Sequence, residues 1–430
     1  MIDPIVLRRD DTLSPVEVNY WKDLLFRSIK IGTEVEVAIP KGMDRPVFEN
    51  EIISLLKPSG TYDLLGQSGV ISVSPEHCGI EIRVIGRQPY YRALHDQYRE
   101  LTELLLARGA RARSTCGLHF HIITPNLAEP VPEIILANLW NLVRRYSPEL
   151  RFITSCGESR SGLCRRRNHT SHVEMVRHSP IHTTMQEIQK ELHESTVVPE
   201  HQNFFNLENI GFTEDGDIYP FHLEFRFPDA DLSTTSITAK TFLFLAMVLK
   251  SVNLSQYGVI HVGKIVPWRR KVELLNLLSN NEGALATSDT SQVTDDMLDE
   301  LRQGCHELLD LLEPIFDGFE DNPSFEVLET LAETPVSLLR CAGRDWNSVE
   351  AFLSQRAQLA SSSIDEIEQK LMQHIEFEDW QGARSVEEWN WHAASELYLT
   401  PQDLEAHLHN IEKLRGVRWN ERLGTLVFNQ

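Results

Sequence analysis

The sequence predicts an α+β fold, in which an antiparallel sheet with flanking helices is followed by a helical C-terminal region. Three observations predict it. Short stretches alternate apolar and polar residues with the period of two that is typical of β-strands, amphipathic helical patterns lie between them, and after residue 263 the pattern is helical. The polar residues of several strands are glutamate, histidine and arginine, which indicates a functional sheet face.

The composition limits the possible functions. The chain has 430 residues, of which 41% are hydrophobic, and a formal net charge of −22. This length suits two or three domains, and we divide the chain into residues 1–262 and an acidic, mainly helical region, 263–430. The acidic balance argues against nucleic acid or an anionic membrane as partner, because both attract basic surfaces.

The sequence shows no sign of secretion or membrane insertion. It begins Met-Ile-Asp-Pro, without the segments of a secretory signal, and its longest apolar run, Phe242 to Leu249, is too short to cross a bilayer. Its six cysteines lack CxxC spacing, which favours reduced thiols over disulfides or a zinc knuckle. We therefore expect a soluble, cytoplasmic protein.

The first predicted elements are a helix over residues 16–29 and a glutamate-rich strand over residues 31–39. The period of two places Glu34 and Glu36 on one face of this strand. Gly32 permits another group to approach the backbone closely. Two carboxylates at this spacing are oxygen ligands of the kind that divalent cations prefer.

A hairpin is predicted over residues 70–85, with its turn at residues 75–79. Glu81 and Arg83 share one face of its second strand. By itself, that pattern is typical of any solvated strand face. A helix follows, which Gly109 can end as a left-handed cap.

The strand around His119 and His121 carries the strongest signal. Both imidazoles leave one face, while apolar residues leave the other. A later strand repeats the pattern with Glu224 and Arg226, and His222 lies beside them. Charged residues of a half-buried strand normally face solvent. The strands are therefore either ordinary edges or parts of one sheet face that binds metal and phosphate.

An arginine-rich loop is predicted between residues 155 and 182. It contains Arg160, Arg165 and Arg167. The simpler interpretation is a solvated loop, in which these side chains have no shared task. The alternative is that one or two of them bind nucleotide phosphates, because a planar guanidinium group suits bidentate contacts with phosphate.

The remaining elements support the same fold class. Helices are predicted over residues 186–195 and 238–252, the second apolar on nearly all sides and therefore buried, with a strand at residues 204–207 between them. Residues 279–292 are predicted to form a polar linker. The helical C-terminal region is expected to pack on the core or to mediate assembly, as a homo-oligomer or with a protein partner.

The order of these motifs resembles the amidoligase family, a branch of the glutamine synthetase and glutamate–cysteine ligase superfamily. The motifs are Gly-x-Glu-x-Glu from Gly32, Gly-Ile-Glu from Gly79, Cys-Gly-Leu-His-Phe-His from Cys116, Asn-Leu from Asn206 and Glu-Phe-Arg from Glu224. Each is common by itself. Their combination in the family's order, on predicted strands, is considerably more specific.

The resemblance implies a glutamine synthetase-like domain, in which a curved, mainly antiparallel sheet forms a funnel flanked by helices. ATP enters one mouth of such a funnel and the acceptor carboxylate the other. The implied activity is an ATP- and Mg²⁺-dependent carboxylate–amine ligase, with Mn²⁺ as another suitable ion, that makes an amide or peptide bond through an acyl phosphate. Its substrates would be small-molecule or peptide carboxylates and amines.

The resemblance also implies residue roles. The implied metal ligands are Glu34, Glu36, Glu81, His119 and Glu224. Arg226 would face the transferred phosphoryl group, and His121 would support the ligands or face the substrate. Asn206 and the loop arginines are the candidate nucleotide contacts. The sequence departs from the family's pattern after Glu81, so Glu76 is an alternative ligand, and it has His201 and Gln202 in place of an arginine–tyrosine pair.

Three alternatives remain open at this point. The first is a phosphotransferase on the same fold, which stops at a phosphorylated product. The second is a binding or scaffold protein that has kept the sheet and lost catalysis. The third is a metallohydrolase that binds Zn²⁺ through His119, His121 and glutamates.

Overall fold

The computed structural model describes most of the chain. The described residues are 5–8, 12–58, 69–86, 89–113, 116–156, 179–180, 183–194, 205–261, 267, 270–271, 273–274, 295–319, 322–361, 366–377, 382–397 and 399–428. Arg160, Arg165 and Arg167 lie outside them, and so do His201 and Gln202. The predictions made for these five residues stay predictions.

Helices and strands alternate over most of the described chain. The helices are α1 (Pro15–Ser28), α2 (Arg45–Leu56), α3 (Tyr91–Ala107), α4 (Glu133–Arg145), α5 (Ser147–Ile153), α6 (Met185–Glu194), α7 (Thr234–Leu254), α8 (Asp295–Phe316), α9 (Ser324–Glu333), α10 (Val336–Cys341), α11 (Trp346–Ser361), α12 (Glu366–Phe377), α13 (Val386–Glu396) and α14 (Pro401–Arg415). The strands are β1 (Ile5–Arg8), β2 (Lys30–Val37), β3 (Gly69–Glu76), β4 (Gly79–Ile85), β5 (Leu118–Ile123), β6 (Phe205–Asn206), β7 (His222–Phe225), β8 (Val259–His261), β9 (Val417–Asn420) and β10 (Thr425–Phe428).

Local signals placed the first elements well. Ser14 caps α1: its hydroxyl accepts from the Glu17 backbone N–H at 3.3 Å, and the Glu17 carboxylate accepts from the Ser14 N–H at 2.7 Å. The predicted hairpin is present as β3 and β4, joined at His77 and Cys78. Gly109 follows α3 with a φ of 75°, as expected of a glycine that ends a helix.

The largest sheet has six strands in the order β3-β4-β2-β5-β7-β6, and every neighbouring pair is antiparallel. This confirms the predicted α+β class with an antiparallel sheet. In the central rung, Glu34 of β2 lies opposite Arg83 of β4 and His119 of β5. On the other side of β5, His121 lies opposite Glu224 of β7.

One face of this sheet, which we call the apolar face, packs on α3 and α7. The Phe244 ring of α7 lies 5.1 Å from the Phe120 ring and 4.3 Å from the Phe225 ring, between centroids. The Tyr98 hydroxyl of α3 lies 2.7 Å from the Thr33 hydroxyl on the same sheet face. Burial of these large rings makes the apolar face the main hydrophobic core around the sheet.

Helix α7 is the buried helix that the sequence predicts. By length and composition it also meets the requirements of a membrane span, with a mean hydropathy of 1.4, but 89% of that stretch is buried inside the protein. Ser233 caps its N-terminus by accepting from the Ser236 N–H. Core helices of globular proteins pass the same test of length and composition.

The chain forms two compact units, Met1–Glu350 and Ala351–Gln430, so the division falls later than the predicted boundary at residue 262. Helices α8 to α10 belong to the first unit because they share buried polar contacts with it. The hydroxyls of Ser155 and Ser337 lie 2.6 Å apart, and the Cys305 thiol donates to the Glu149 carbonyl. Helical periodicity alone does not say which core a helix joins. The functional labels of the two regions stay predictions.

The second unit has a small core of its own and one hairpin that the sequence analysis missed. Trp389, Leu371 and Leu404 are buried at its centre. Strands β9 and β10 form the hairpin, and the Trp389 indole N–H donates to the Thr425 hydroxyl at 3.0 Å. Each strand has only four residues, which is too short for a clear period of two.

Candidate metal and phosphate site

The second face of the six-stranded sheet, which we call the polar face, carries most of the predicted site residues. Its residues include Gly32, Glu34, Glu36, Glu81, Arg83, His119, His121, His222 and Glu224. They are not an ordinary solvated edge: the relative exposure is 1% for His119, 3% for Glu224 and 4% for Glu36. Of the two interpretations of these strands, the structure therefore favours one shared, buried polar face.

Three ligand-type side chains meet at the centre of the polar face. His119 Nδ1 lies 3.0 Å from Glu34 Oε2 and 3.6 Å from Glu224 Oε1. One potential ligand atom from each of Glu34, His119 and Glu224 lies within 4.8 Å of the other two. These residues belong to β2, β5 and β7, so the antiparallel register brings together positions that are far apart in the sequence.

Glu36 and Glu81 lie opposite each other in β2 and β4, beside this group. Glu36 Oε2 accepts from the Gly117 backbone N–H at 2.6 Å, and Glu36 Oε1 lies 3.6 Å from His119 Nε2. Glu81 Oε1 lies 2.9 Å from Arg83 Nη2. Glu76, the alternative ligand, ends β3 opposite Gly79. Glu81 therefore lies beside the group of Glu34, His119 and Glu224, and the choice between Glu81 and Glu76 as a metal ligand stays a prediction.

His121 has one nitrogen engaged and one directed at carboxylates. Its Nδ1 lies 3.0 Å from His222 Nε2. Its Nε2 lies 3.6 Å from Glu34 Oε1 and 3.9 Å from Glu224 Oε1, and this buried atom has no hydrogen-bond partner among the described residues. A buried polar atom in such a position is available to bind a cation or another ligand.

Two arginines pair with these carboxylates, one near strand β7 and the other near strand β4. Arg226 pairs with Glu224 at the β7 side. Arg83, which is 42% exposed, pairs with Glu34 and Glu81 at the β4 side. Both guanidinium groups can therefore face an anion bound on the polar face, and Arg83 was only an ordinary strand residue in the sequence analysis.

Asn206 supports Glu224. Its side-chain amide donates to Glu224 Oε2 at 2.9 Å, and its carbonyl oxygen accepts from the Glu208 backbone N–H at 2.9 Å. Both ends of the amide are engaged, so the visible contacts orient a candidate metal ligand. A contact between Asn206 and nucleotide stays a prediction.

Burial and neighbouring charges shift the pKa values of the polar-face residues in different directions. Burial, followed by the nearby Glu34 carboxylate, raises the pKa of Glu81 to about 7. Burial alone would also raise the pKa of Glu34 and Glu224. The His119 hydrogen bond and attraction from His119 and His121 lower the pKa of Glu34, while attraction from His119, His121 and Arg226 and the Asn206 hydrogen bond lower that of Glu224. Burial, followed by repulsion from His121, lowers the pKa of His222 to about 4, so His222 is neutral near pH 7.

The polar face has an excess of negative charge. Its carboxylates are Glu34, Glu36, Glu76, Glu81 and Glu224. Arg83, Arg226 and Lys30 oppose three of these five charges, which leaves two negative charges when the imidazoles are neutral and Glu81 is ionised. Buried carboxylates require paired cations, and these residue types are ligands of divalent metals. The donor set therefore fits divalent cations.

The distances also fit a metal site. Ligand atoms at about 2.1 Å from one cation are separated by about 3.0 Å in octahedral and about 3.4 Å in tetrahedral geometry. The separations between Glu34, His119, His121 and Glu224 atoms given above run from 3.0 to 3.9 Å.

Sequence reasoning missed the roles of Arg83 and His222 in this geometry. Arg83 alternates with isoleucine and valine, a pattern shared with any solvated strand. His222 was noted beside Glu224, but its partner His121 is a hundred residues away in the sequence. The signal that could have identified both is their position on the same strand face as a candidate ligand.

Comparison with known proteins finds a likeness among solved structures. No protein-family model and no curated protein matches this chain. Among solved structures, the chain is similar to one titled as the crystal structure of the complex between the prokaryotic ubiquitin-like protein Pup and its ligase PafA. The likeness covers 78% of this chain and 80% of that chain, at 12% identity and a TM-score of 0.27. At these values it identifies no family for the chain.

Proposed function

We propose that this protein is an ATP-dependent carboxylate–amine ligase whose polar face binds divalent cations. One observation carries the proposal: three buried carboxylates, the half-buried carboxylate of Glu34 and two imidazoles share one sheet face, between Arg83 and Arg226. Such an arrangement suits a site for metal-bound triphosphate. The motif order that resembles the amidoligase family supports the choice of ligase among ATP-dependent reactions.

The reaction explains why these residue types are needed. A carboxylate is a poor acyl acceptor, because its oxygen is a bad leaving group. Transfer of the ATP γ-phosphoryl group to it gives an acyl phosphate, which an amine attacks with release of phosphate. Phosphoryl transfer spreads negative charge over the equatorial oxygens, so catalysis consists mainly of positioning and charge neutralisation.

The polar face divides into two candidate ligand sets. Glu34, His119 and Glu224 would hold one cation, and Glu36 with Glu81 would hold a second. Bound Mg²⁺ or Mn²⁺ supplies positive charge against the phosphate oxygens. Both cations are part of the proposal.

The arginines would act on the phosphoryl group. The planar guanidinium group of Arg226 lies beside Glu224, from where it can donate to phosphate oxygens. Arg83 can donate to them from the β4 side of the carboxylates. Arg160, Arg165 and Arg167 remain candidate contacts for the other phosphates. A glutamine synthetase-like funnel, small-molecule or peptide substrates and a cytoplasmic location belong to the same proposal.

The test uses hydroxylamine in place of the unknown amine. The protein is incubated with ATP, Mg²⁺ and hydroxylamine and a panel of amino acids, dicarboxylic acids and peptides. We expect a hydroxamate and ADP in equal amounts with at least one acid, because hydroxylamine traps acyl phosphates. Absence of hydroxamate from the whole panel, together with absence of Mg²⁺–ATP binding in calorimetry, would refute the proposal.

A matched pair of variants separates site chemistry from general effects. Glu224→Gln removes a candidate ligand of the polar face, and Glu103→Gln makes the same change at an exposed position of α3. We expect loss of hydroxamate formation in Glu224→Gln only. Equal activity in both variants would remove Glu224 from the mechanism.

A metallohydrolase is the second candidate, and His121 is the observation that favours it. With His119 it gives two imidazoles beside two glutamates, which is a donor set that also suits Zn²⁺. Metal analysis that finds stoichiometric zinc, with activity in the absence of ATP, would select this function. A phosphorylated product that forms without any amine would instead select a phosphotransferase.

A further inference from the structure

Two histidines of the polar face are joined through their rings. His121 Nδ1 and His222 Nε2 lie 3.0 Å apart, with the ring centroids 5.2 Å apart and the ring planes at 57°. A hydrogen bond between two imidazole nitrogens has one proton, so one ring donates and the other accepts. The direction of this bond decides which nitrogen of His121 carries a lone pair.

The other nitrogen of His121 points at the candidate metal ligands. His121 Nε2 is buried, has no hydrogen-bond partner among the described residues, and lies 3.6 Å from Glu34 Oε1 and 3.9 Å from Glu224 Oε1. These distances are too long for hydrogen bonds. They are close to the separation of two atoms that bind the same cation, about 3.0 to 3.4 Å.

The backbone is shaped to hold the His121 ring in this position. Gly32 of β2 lies opposite His121 of β5, and a Cβ at Gly32 would come within 3.1 Å of His121 Cβ and 3.6 Å of its Cγ. The absence of a side chain at Gly32 therefore leaves room for the first side-chain atom of His121, from which the ring extends. His222 holds the ring from the other side, so its rotation is restricted.

We propose that His121 Nε2 is a ligand of the same cation as Glu34, His119 and Glu224, and that His222 positions it by accepting a hydrogen bond from His121 Nδ1–H. This inference rests on the proposed cation site. A neighbour that accepts from the second nitrogen of a ligating histidine fixes its tautomer and orients its ring. The resulting set has two imidazole nitrogens and two carboxylate oxygens, which favours Mn²⁺ and similar transition ions over Mg²⁺.

The test measures Mn²⁺ binding in the full chain by electron paramagnetic resonance, with nitrogen modulation of the spin echo to count coordinated imidazoles. Wild type is expected to show two imidazole nitrogens on the tightly bound ion. His222→Phe keeps a ring and removes the acceptor. We expect it to weaken Mn²⁺ binding about 10- to 100-fold, the usual effect of losing such a partner. Mg²⁺ affinity should change less.

Two further variants serve as controls. His222→Gln provides an amide oxygen as acceptor and should restore most of the Mn²⁺ affinity lost in His222→Phe. His392→Phe makes the same ring exchange at an exposed position of α13 and should bind Mn²⁺ as wild type does. Circular dichroism and melting curves establish that each variant is folded.

The outcomes separate this inference from the proposed function. A single imidazole on Mn²⁺ in wild type would overturn His121 as a ligand while leaving the cation site in place. Unchanged Mn²⁺ affinity in folded His222→Phe would overturn the positioning role. Absence of Mn²⁺ binding in wild type would overturn both the inference and the cation site on which the proposed function depends.

Discussion

The two faces of the six-stranded sheet are built by the same strands and both contain buried side chains, but they hold different chemistry. On the apolar face, Phe120, Phe225 and Phe244 bury rings against one another, and each contact stabilises the fold. On the polar face, carboxylates and imidazoles are packed together with an excess of negative charge. The comparison teaches that burial alone does not identify a core. What distinguishes a site is buried charge that the protein does not balance by itself.

This comparison predicts opposite effects for substitutions on the two faces. Changes on the apolar face should reduce stability and spare the affinity for cations. Changes on the polar face should remove function and spare the fold, because natural sites keep destabilising groups for the ligand they bind.

The largest effect is expected from Glu34→Gln. It replaces a carboxylate that meets His119 and Glu224, and a neutral amide is a much weaker ligand for a divalent cation. We expect ligase turnover to fall about 1000-fold or more, as with the loss of a group that stabilises transition-state charge. Turnover and the melting temperature are measured side by side. Turnover like that of wild type in folded Glu34→Gln would contradict the assignment.

The corresponding experiment on the apolar face is Phe244→Ala in α7. The Phe244 ring is fully buried and contacts Phe120 and Phe225, so its removal leaves a cavity under the sheet. We expect the free energy of unfolding to fall by about 3–5 kcal/mol. Chemical denaturation measures this loss, and calorimetry below the melting temperature should give unchanged Mn²⁺ affinity. A large loss of affinity in the folded variant would show that the two faces are not independent.

Arg226→Lys should have the next largest effect. Lysine keeps the positive charge beside Glu224, but it lacks the planar fork that donates two parallel hydrogen bonds to phosphate. We expect kcat to fall about 100-fold, the loss typical of one donor to developing charge, with nucleotide affinity largely kept. Steady-state kinetics and nucleotide titration check this, and unchanged kcat would contradict the role of Arg226.

The smallest effect concerns pH. Burial and the neighbouring Glu34 raise the pKa of Glu81 to about 7, so below that pH this carboxyl is protonated in the metal-free protein. A cation must displace the proton. Its affinity should therefore rise with pH by up to about tenfold per unit below pH 7 and level off above it. Cation titrations between pH 5.5 and 8.5 measure this slope, which should correspond to the release of about one proton per bound cation. Glu81→Gln should remove the contribution of this proton to the dependence of cation affinity on pH. An unchanged dependence would show that the proton does not come from Glu81.

Local sequence determined much of the fold. The alternation in β2, β4, β5 and β7 is carried by neighbouring residues, and it placed each charged side chain on one strand face before any strand was paired. Helices α1 and α3 were predicted from amphipathic patterns, and the end of α3 from Gly109, for the same reason. The short hairpin of β9 and β10 was missed, because few residues carry its pattern.

Only the tertiary structure decided that these faces meet and are buried. The rung that joins Glu34, His119 and Arg83, and the contact between His121 and His222, depend on the register between strands from distant parts of the chain. A one-residue slip would send every such side chain to the opposite face, and no local pattern specifies the partner strand. Likewise, whether a polar face is solvated or enclosed depends on what packs over it. The residue types of the candidate site were therefore present in the sequence, but their convergence and their unbalanced charge are properties of the folded chain.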